Sequence, residues 1–184
     1  MATERKKFIK SEIPMLSREI ELYGNSLSNF DNKTIKLDLT SELRGKGAEL
    51  RLILKSEDNV SKAYPIELTL MGSYIRRMMR KGSDYVEDSF EAETKDFKVR
   101  IKPFLITRKK VSKSVRTALR NSAKEQITEY LKLKTFENIV LDLINNKLQK
   151  EIIVKLKKIY PLALCEIKSI YILKNEMSKI GKSK

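Results

Sequence analysis

The sequence predicts an α+β fold built on a mainly antiparallel sheet. Three observations carry that prediction. Apolar and polar residues alternate with a period of two in several segments before residue 107. Between about residues 113 and 160 the apolar positions recur every three to four residues instead. A last apolar segment, Leu162 to Leu173, then reads as a closing strand.

Taken in order, residues 1–30 are an amino-terminal arm without a clear period. Phe8, Ile9, Ile13 and Leu16 fit an edge strand or a short helical turn, and Pro14 argues against anything long. Thr34 to Leu39 alternates Ile35, Leu37 and Leu39 with Lys36 and Asp38, a strand pattern. Arg44-Gly45-Lys46-Gly47 reads as a loop, and Glu49 to Lys55 as a second strand with Leu50, Leu52 and Leu54 on one face. After a polar turn, Ser56 to Asn59, a third strand runs from Tyr64 to Leu70, with Pro65 near its start, where a missing donor costs least. Ser73 is placed to cap a short helix with Tyr74, Ile75, Met78 and Met79 on its apolar face, ended by Gly82.

Tyr85 to Thr94 and Phe97 to Thr107 read as a hairpin turning at Lys95-Asp96. That register sets Phe90 against Ile101 and Ala92 against Val99 on one face, and Glu91 against Arg100 and Glu93 against Lys98 on the other. A helix from Lys113 to Lys132 follows, with Val115, Leu119, Ala123 and Ile127 as its buried stripe. Thr135 is placed to cap a helix carrying Phe136, Ile139, Val140, Leu143 and Ile144. Asn145-Asn146 reads as a break before Leu148, Ile152, Leu156 and Ile159, a pattern that stops at Pro161. The domain division is therefore an arm over 1–30, one α+β domain over 31–174, and a short basic tail over 175–184.

With 39 basic and 24 acidic side chains, the net charge is +15 and the isoelectric point about 9.8. The charge is clustered. From Phe97 to Arg120 there are nine basic residues and no acid. If Lys98 and Arg100 are occupied by their cross-strand acids, the candidates for an outside anion are Arg108, Lys109, Lys110, Lys113, Arg116 and Arg120. The short helix adds Arg76, Arg77, Arg80 and Lys81, also with no acid among them. Such clustering points to a polyanion, nucleic acid before a membrane surface; the bland alternative is a solvated basic face.

Other chemistry is scarce. There is no histidine and one cysteine, Cys165, so the usual zinc sites, histidine-based triads and an internal disulfide are excluded. No phosphate-binding loop or dinucleotide fingerprint occurs, and no catalytic residue, metal, cofactor or small-molecule substrate is expected. Glu87, Asp88, Glu91 and Glu93 cluster in sequence but read as sheet-surface partners for the basic strand. The apolar runs are far shorter than the roughly 20 residues that span a bilayer. The first residues lack a signal-peptide core, so a cytosolic, soluble chain is expected.

In order and spacing these features resemble the S1e family of small-subunit ribosomal proteins of archaea and eukaryotes. The matching pieces are the strand Ile35 to Leu43; Ile75-Arg76-Arg77-Met78-Met79-Arg80-Lys81-Gly82; the hairpin with Thr94-Lys95-Asp96 at its turn; Leu105-Ile106-Thr107-Arg108-Lys109-Lys110; and Lys158-Ile159-Tyr160-Pro161-Leu162. The resemblance implies a distorted antiparallel β-barrel with flanking helices. It also implies a place in the ribosome, on the small-subunit platform near the messenger RNA exit, held by ribosomal RNA and neighbouring ribosomal proteins. Two departures stand out: no early tryptophan, and no glycine after Asp96. The lack of long terminal extensions fits an archaeal-type member. A free RNA-binding factor or RNA chaperone is the competing expectation, and an acidic-residue nuclease a distant third. With no tryptophan, and most Phe and Tyr on apolar stripes, folded RNA read by shape is favoured over single strands.

Overall fold

A computed structural model describes residues 6–57 and 60–180. Among the described residues nine strands and four α-helices are mixed, an α+β arrangement as the sequence predicts. The strands are β1 (Lys7–Ile13), β2 (Arg18–Gly24), β3 (Thr34–Asp38), β4 (Ala48–Glu57), β5 (Val60–Leu70), β6 (Tyr85–Glu87), β7 (Phe90–Glu93), β8 (Lys98–Thr107) and β9 (Leu162–Ile172). The helices are α1 (Gly72–Met78), α2 (Lys113–Lys132), α3 (Phe136–Ile144) and α4 (Lys147–Leu156).

The spine of the sheet is β3-β4-β5-β9-β8, with β6 and β7 sharing the far edge of β8. Among the described residues every pairing is antiparallel except a two-residue parallel contact, Ser11 and Glu12 of β1 with Ser61 and Lys62 of β5. The closed barrel implied by the resemblance is not formed: among the described residues β3 pairs only with β4, and β6 and β7 only with β8. These outer strands are three to five residues long. The helices cover the interior instead, with α2 on β6 and β7, α3 on β5 and α4 on β9. One contiguous core results, from Leu50, Leu52 and Leu54 of β4 to Leu119, Ile127, Ile139 and Ile152 of the helices.

Two prolines shape the sheet. Pro65 lies in mid-strand, not near a strand start, and Leu52 pairs with it while Arg51 pairs with Glu67. Pro103 pairs with Ile167 while Lys102 pairs with Ser169. In both places the ladder slips by one residue, because a residue without an N–H fits inside a sheet at a bulge. Pro103 also explains why Tyr85 to Thr94 is two strands. Asp88 donates its N–H to the Pro103 carbonyl at 3.4 Å, and Pro103 has none to return.

The hairpin register is the expected one at all four pairs, and Glu91–Arg100 and Glu93–Lys98 are ion pairs. Its two-residue turn closes without glycine because neither Lys95 nor Asp96 takes a positive φ. The Thr94 hydroxyl accepts the Phe97 N–H at 3.0 Å, and Thr94 N–H reaches the Phe97 carbonyl at 2.9 Å. The arm also has order: β1 and β2 pair along their whole length, with Ile13 buried.

Three boundaries differ from expectation. The first helix is capped by Met71, with Ser73 inside it, and ends at Met78 because Met79 is already extended. The last helix stops at Leu156, leaving Ile159 exposed. Of the tail expected over 175–184, Lys174–Lys179 make a 3-10 turn, Ile180 is buried, and residues 181–184 lie outside the described ones. The polar turn at 58–59 lies outside them too.

Candidate nucleic-acid interface

β8 ends at Thr107 in a corner that its own polar side chains hold. Thr107 is fully buried, and its N–H donates to the Asp84 carbonyl at 2.9 Å. Its hydroxyl accepts the Asp84 N–H at 3.0 Å and lies 2.7 Å from the Lys109 carbonyl. The Asp84 carboxylate accepts the Val111 N–H at 2.9 Å. One threonine and one aspartate thus clamp the backbone on both sides of Arg108-Lys109-Lys110, while the three side chains stand exposed. A second slip in the β8–β9 ladder, between Ile106 and Thr107, adds local twist at this end.

The chain then enters α2 through Ser112, whose hydroxyl accepts the Val115 N–H. Leu119, Ala123, Ile127 and Leu131 bury one face of this helix, about 30 Å long by its 20 residues. Lys113, Arg116 and Arg120 lie outside that face, exposed. The first turn of the helix itself has no acid, so the positive end of the helix dipole adds to the positive charge of the corner. Like charges three and four apart also work against the helix, an arrangement that an external polyanion relieves.

Three of the four clustered acids near the hairpin are engaged elsewhere. Glu91 and Glu93 pair with β8 as expected, while Glu87 pairs across to Lys168 of β9. Among the described residues no acid pairs with Arg108, Lys109, Lys110, Lys113, Arg116 or Arg120, and no group of three or more acids and cysteines is arranged to hold a metal. None of the described helices is long and apolar enough to cross a membrane.

The second basic set is split. Arg76 and Arg77 sit on α1, but Arg80 and Lys81 lie in the turn beyond it, so the four do not form one helix face. Arg77 is drawn to the Gly45 carbonyl at 3.4 Å and the Tyr74 ring at 5.9 Å. Gly82, at φ 86°, lets the chain reverse toward Asp84. Lys81 is three residues from Asp84, at most about 11 Å of chain from the clamp, so this turn runs into the corner. Sequence reasoning missed the clamp itself. The only local signal was an Asp just before a strand and a Thr at the end of its partner.

Two further features lay outside sequence reach. Lys46 and Glu166 form a largely buried ion pair at 2.7 Å, with Asn146 at 2.9 Å from the same ammonium. Burial, then the nearby Glu166 charge, pushes the Cys165 thiol up to about 12. Phe8 and Tyr23 form an exposed aromatic pair on the β1–β2 hairpin, ring centroids 5.2 Å apart.

By fold and charge this is a basic α+β protein whose cations gather at one strand-to-helix junction. Residues 33–176 match the Ribosomal S3Ae family, and the chain belongs to that family. It is 31% identical over 121 residues to small ribosomal subunit protein eS1 of Nanoarchaeum equitans, covering 65% of this chain and 61% of that one. Identity to the eS1 protein of Methanothermobacter thermautotrophicus is 37% over 95 residues, 51% of this chain and 49% of the relative. For Saccharolobus islandicus it is 34% over 106 residues, 57% and 51%. The matches span about half to three-fifths of these relatives' lengths. The S1e resemblance is therefore borne out, and the family match begins beyond the β1–β2 hairpin.

Proposed function

We propose that this chain is a structural constituent of the small ribosomal subunit that binds folded ribosomal RNA through the β8–α2 corner. Arg108, Lys109 and Lys110, with Lys113, Arg116 and Arg120, supply the main phosphate contacts, and Arg76, Arg80 and Lys81 extend them. The observation that carries this reading is the clamped corner: six exposed cations without acidic partners among the described residues, three on a backbone fixed by Asp84 and Thr107 and three on the helix that follows. Arginine forks suit bidentate phosphate contacts, and lysines act as point charges. Relatives named as small-subunit proteins support the setting. The platform position near the messenger RNA exit, neighbouring ribosomal proteins as partners, a cytoplasmic location and the absence of catalysis belong to the same proposal.

A free RNA-binding factor is the second reading, and one observation favours it. Phe8 and Tyr23 are 69% and 60% exposed, with Lys6 5.9 Å from the Tyr23 centroid, which offers unpaired bases a stacking surface. Sucrose-gradient sedimentation of a native lysate separates the two. A ribosomal constituent co-sediments with small subunits through a high-salt wash; a free factor stays at the top.

A further inference from the structure

Among the described residues the exposed aromatic side chains are Phe8, Tyr23 and Tyr85. Phe8 and Tyr23 belong to the β1–β2 hairpin at one edge of the sheet. Tyr85 belongs to β6, at the other edge, beside the basic corner. It follows Asp84, whose carboxylate is part of the clamp, and it pairs with Ile106, the residue before Thr107.

Strand alternation sets the direction of this ring. Val86 is buried in the core, so Tyr85 points to the opposite face of the sheet. There its ring lies against that of Phe104, with centroids 5.8 Å apart and planes tilted by 30°. Phe104 and Ile106 are themselves buried, outside the main core cluster, and they give the tyrosine a firm backing. Tyr85 nevertheless stays 56% exposed. The cations are close along the chain. Paired antiparallel residues have Cα atoms about 4.5–5.5 Å apart, and two residues of chain span at most about 7 Å. Arg108 therefore starts within about 13 Å of Tyr85, with two long side chains to narrow the gap.

We propose that Tyr85 is a base-stacking platform: it holds one unpaired base of the bound RNA while the corner holds the neighbouring phosphates. The inference rests on the RNA-binding reading above and adds a part that charge does not supply. Phosphate contacts position an RNA without reading it. An unstacked base laid on an aromatic ring instead selects a bulge or loop of the folded RNA. A protein surface would also accept an exposed tyrosine. Six neighbouring cations with no acidic partner among the described residues favour RNA. The bland alternative is that Tyr85 only covers Phe104.

The test compares binding of the full chain to an adenosine hexanucleotide and to an abasic hexamer with the same phosphates, at several salt concentrations. The wild-type chain should prefer the adenosine hexamer by about 5- to 150-fold, the worth of one stacked base, with the same salt slope for both. Tyr85→Leu keeps an apolar cover over Phe104 but offers no ring face, so it should abolish the preference while melting stays near wild type. Tyr85→Phe and Tyr85→Trp should retain it, and Phe8→Ala with Tyr23→Ala should leave it in place. A wild-type chain with no preference, or one that survives Tyr85→Leu in the folded protein, would overturn the inference. So would a preference that disappears with Phe8 and Tyr23 instead. Replacing Arg108, Lys109 and Lys110 with alanine should lower the salt slope and leave the ratio between the two hexamers unchanged. The slope thus tests the corner, and the ratio tests Tyr85.

Discussion

Replacing Arg108, Lys109 and Lys110 together with alanine removes half of the six cations assigned to phosphate contact. On the duplex scale, six neutralised phosphates give a log–log slope of affinity against salt of about −5.4, on the order of a thousandfold loss between 50 and 200 mM. Three remaining contacts give a slope of about −2.7, which is about 40-fold over the same range. The fold should tolerate the change. All three side chains are exposed, and the Asp84–Thr107–Val111 clamp uses none of them. Circular dichroism and melting should be nearly unchanged, since surface substitutions away from caps and cores have small effects. The assay is equilibrium binding to a structured small-subunit rRNA fragment, by filter retention or fluorescence anisotropy, at four or more salt concentrations. A variant that keeps the wild-type slope while folded would show that the corner carries no phosphates and that its charge is merely solvated.

Four other outcomes follow from the same structure. Thr107→Val keeps every cation but takes the hydroxyl acceptor from the half-buried Asp84 N–H; it should cost about 1–3 kcal/mol by urea unfolding and weaken RNA binding with the salt slope intact. Leu119→Ala, at a fully buried position under the basic face of α2, should cost about 2–5 kcal/mol by the same measurement. Burial raises the Asp142 carboxyl, but hydrogen bonds from Lys134 and Tyr130 outweigh it and hold the group below the usual carboxylate range. Its contribution is therefore complete above the ordinary Asp value of about 3.9 and is lost as pH falls from there through the folded value, so Asp142→Asn should flatten the acid limb of a stability–pH curve. Cys165, buried with its thiol pushed up to about 12, should resist a disulfide reagent at pH 8 until the protein unfolds; rapid native labelling would refute that burial.

The parts legible from sequence were those where local pattern and tertiary packing agree. The limits of α2 were readable because Val115, Leu119, Ala123 and Ile127 recur at helical spacing, and the β7–β8 register because both faces of the hairpin chose it. The basic corner was legible as charge, since nine cations without an acid are visible in the chain itself. What holds the corner was not, because Asp84 and Thr107 are 23 residues apart and their bonds have no periodic signature. The same applies to Lys46 and Glu166, 120 residues apart. The bulge at Pro65 did carry a signal, a proline inside an alternating run, but it was assigned to a strand start and not to a slipped ladder. The β1–β2 hairpin escaped because its outer face mixes Phe8 and Tyr23 with Lys10, Glu19 and Glu21, which blurs the alternation.

The most direct test of an rRNA-binding corner is ultraviolet cross-linking of intact small subunits followed by mass spectrometry of peptide–RNA adducts. Adducts should concentrate on residues 108–120 and on the turn at Arg80 and Lys81. Adducts absent from both stretches, with the protein present in the subunits, would contradict the assignment.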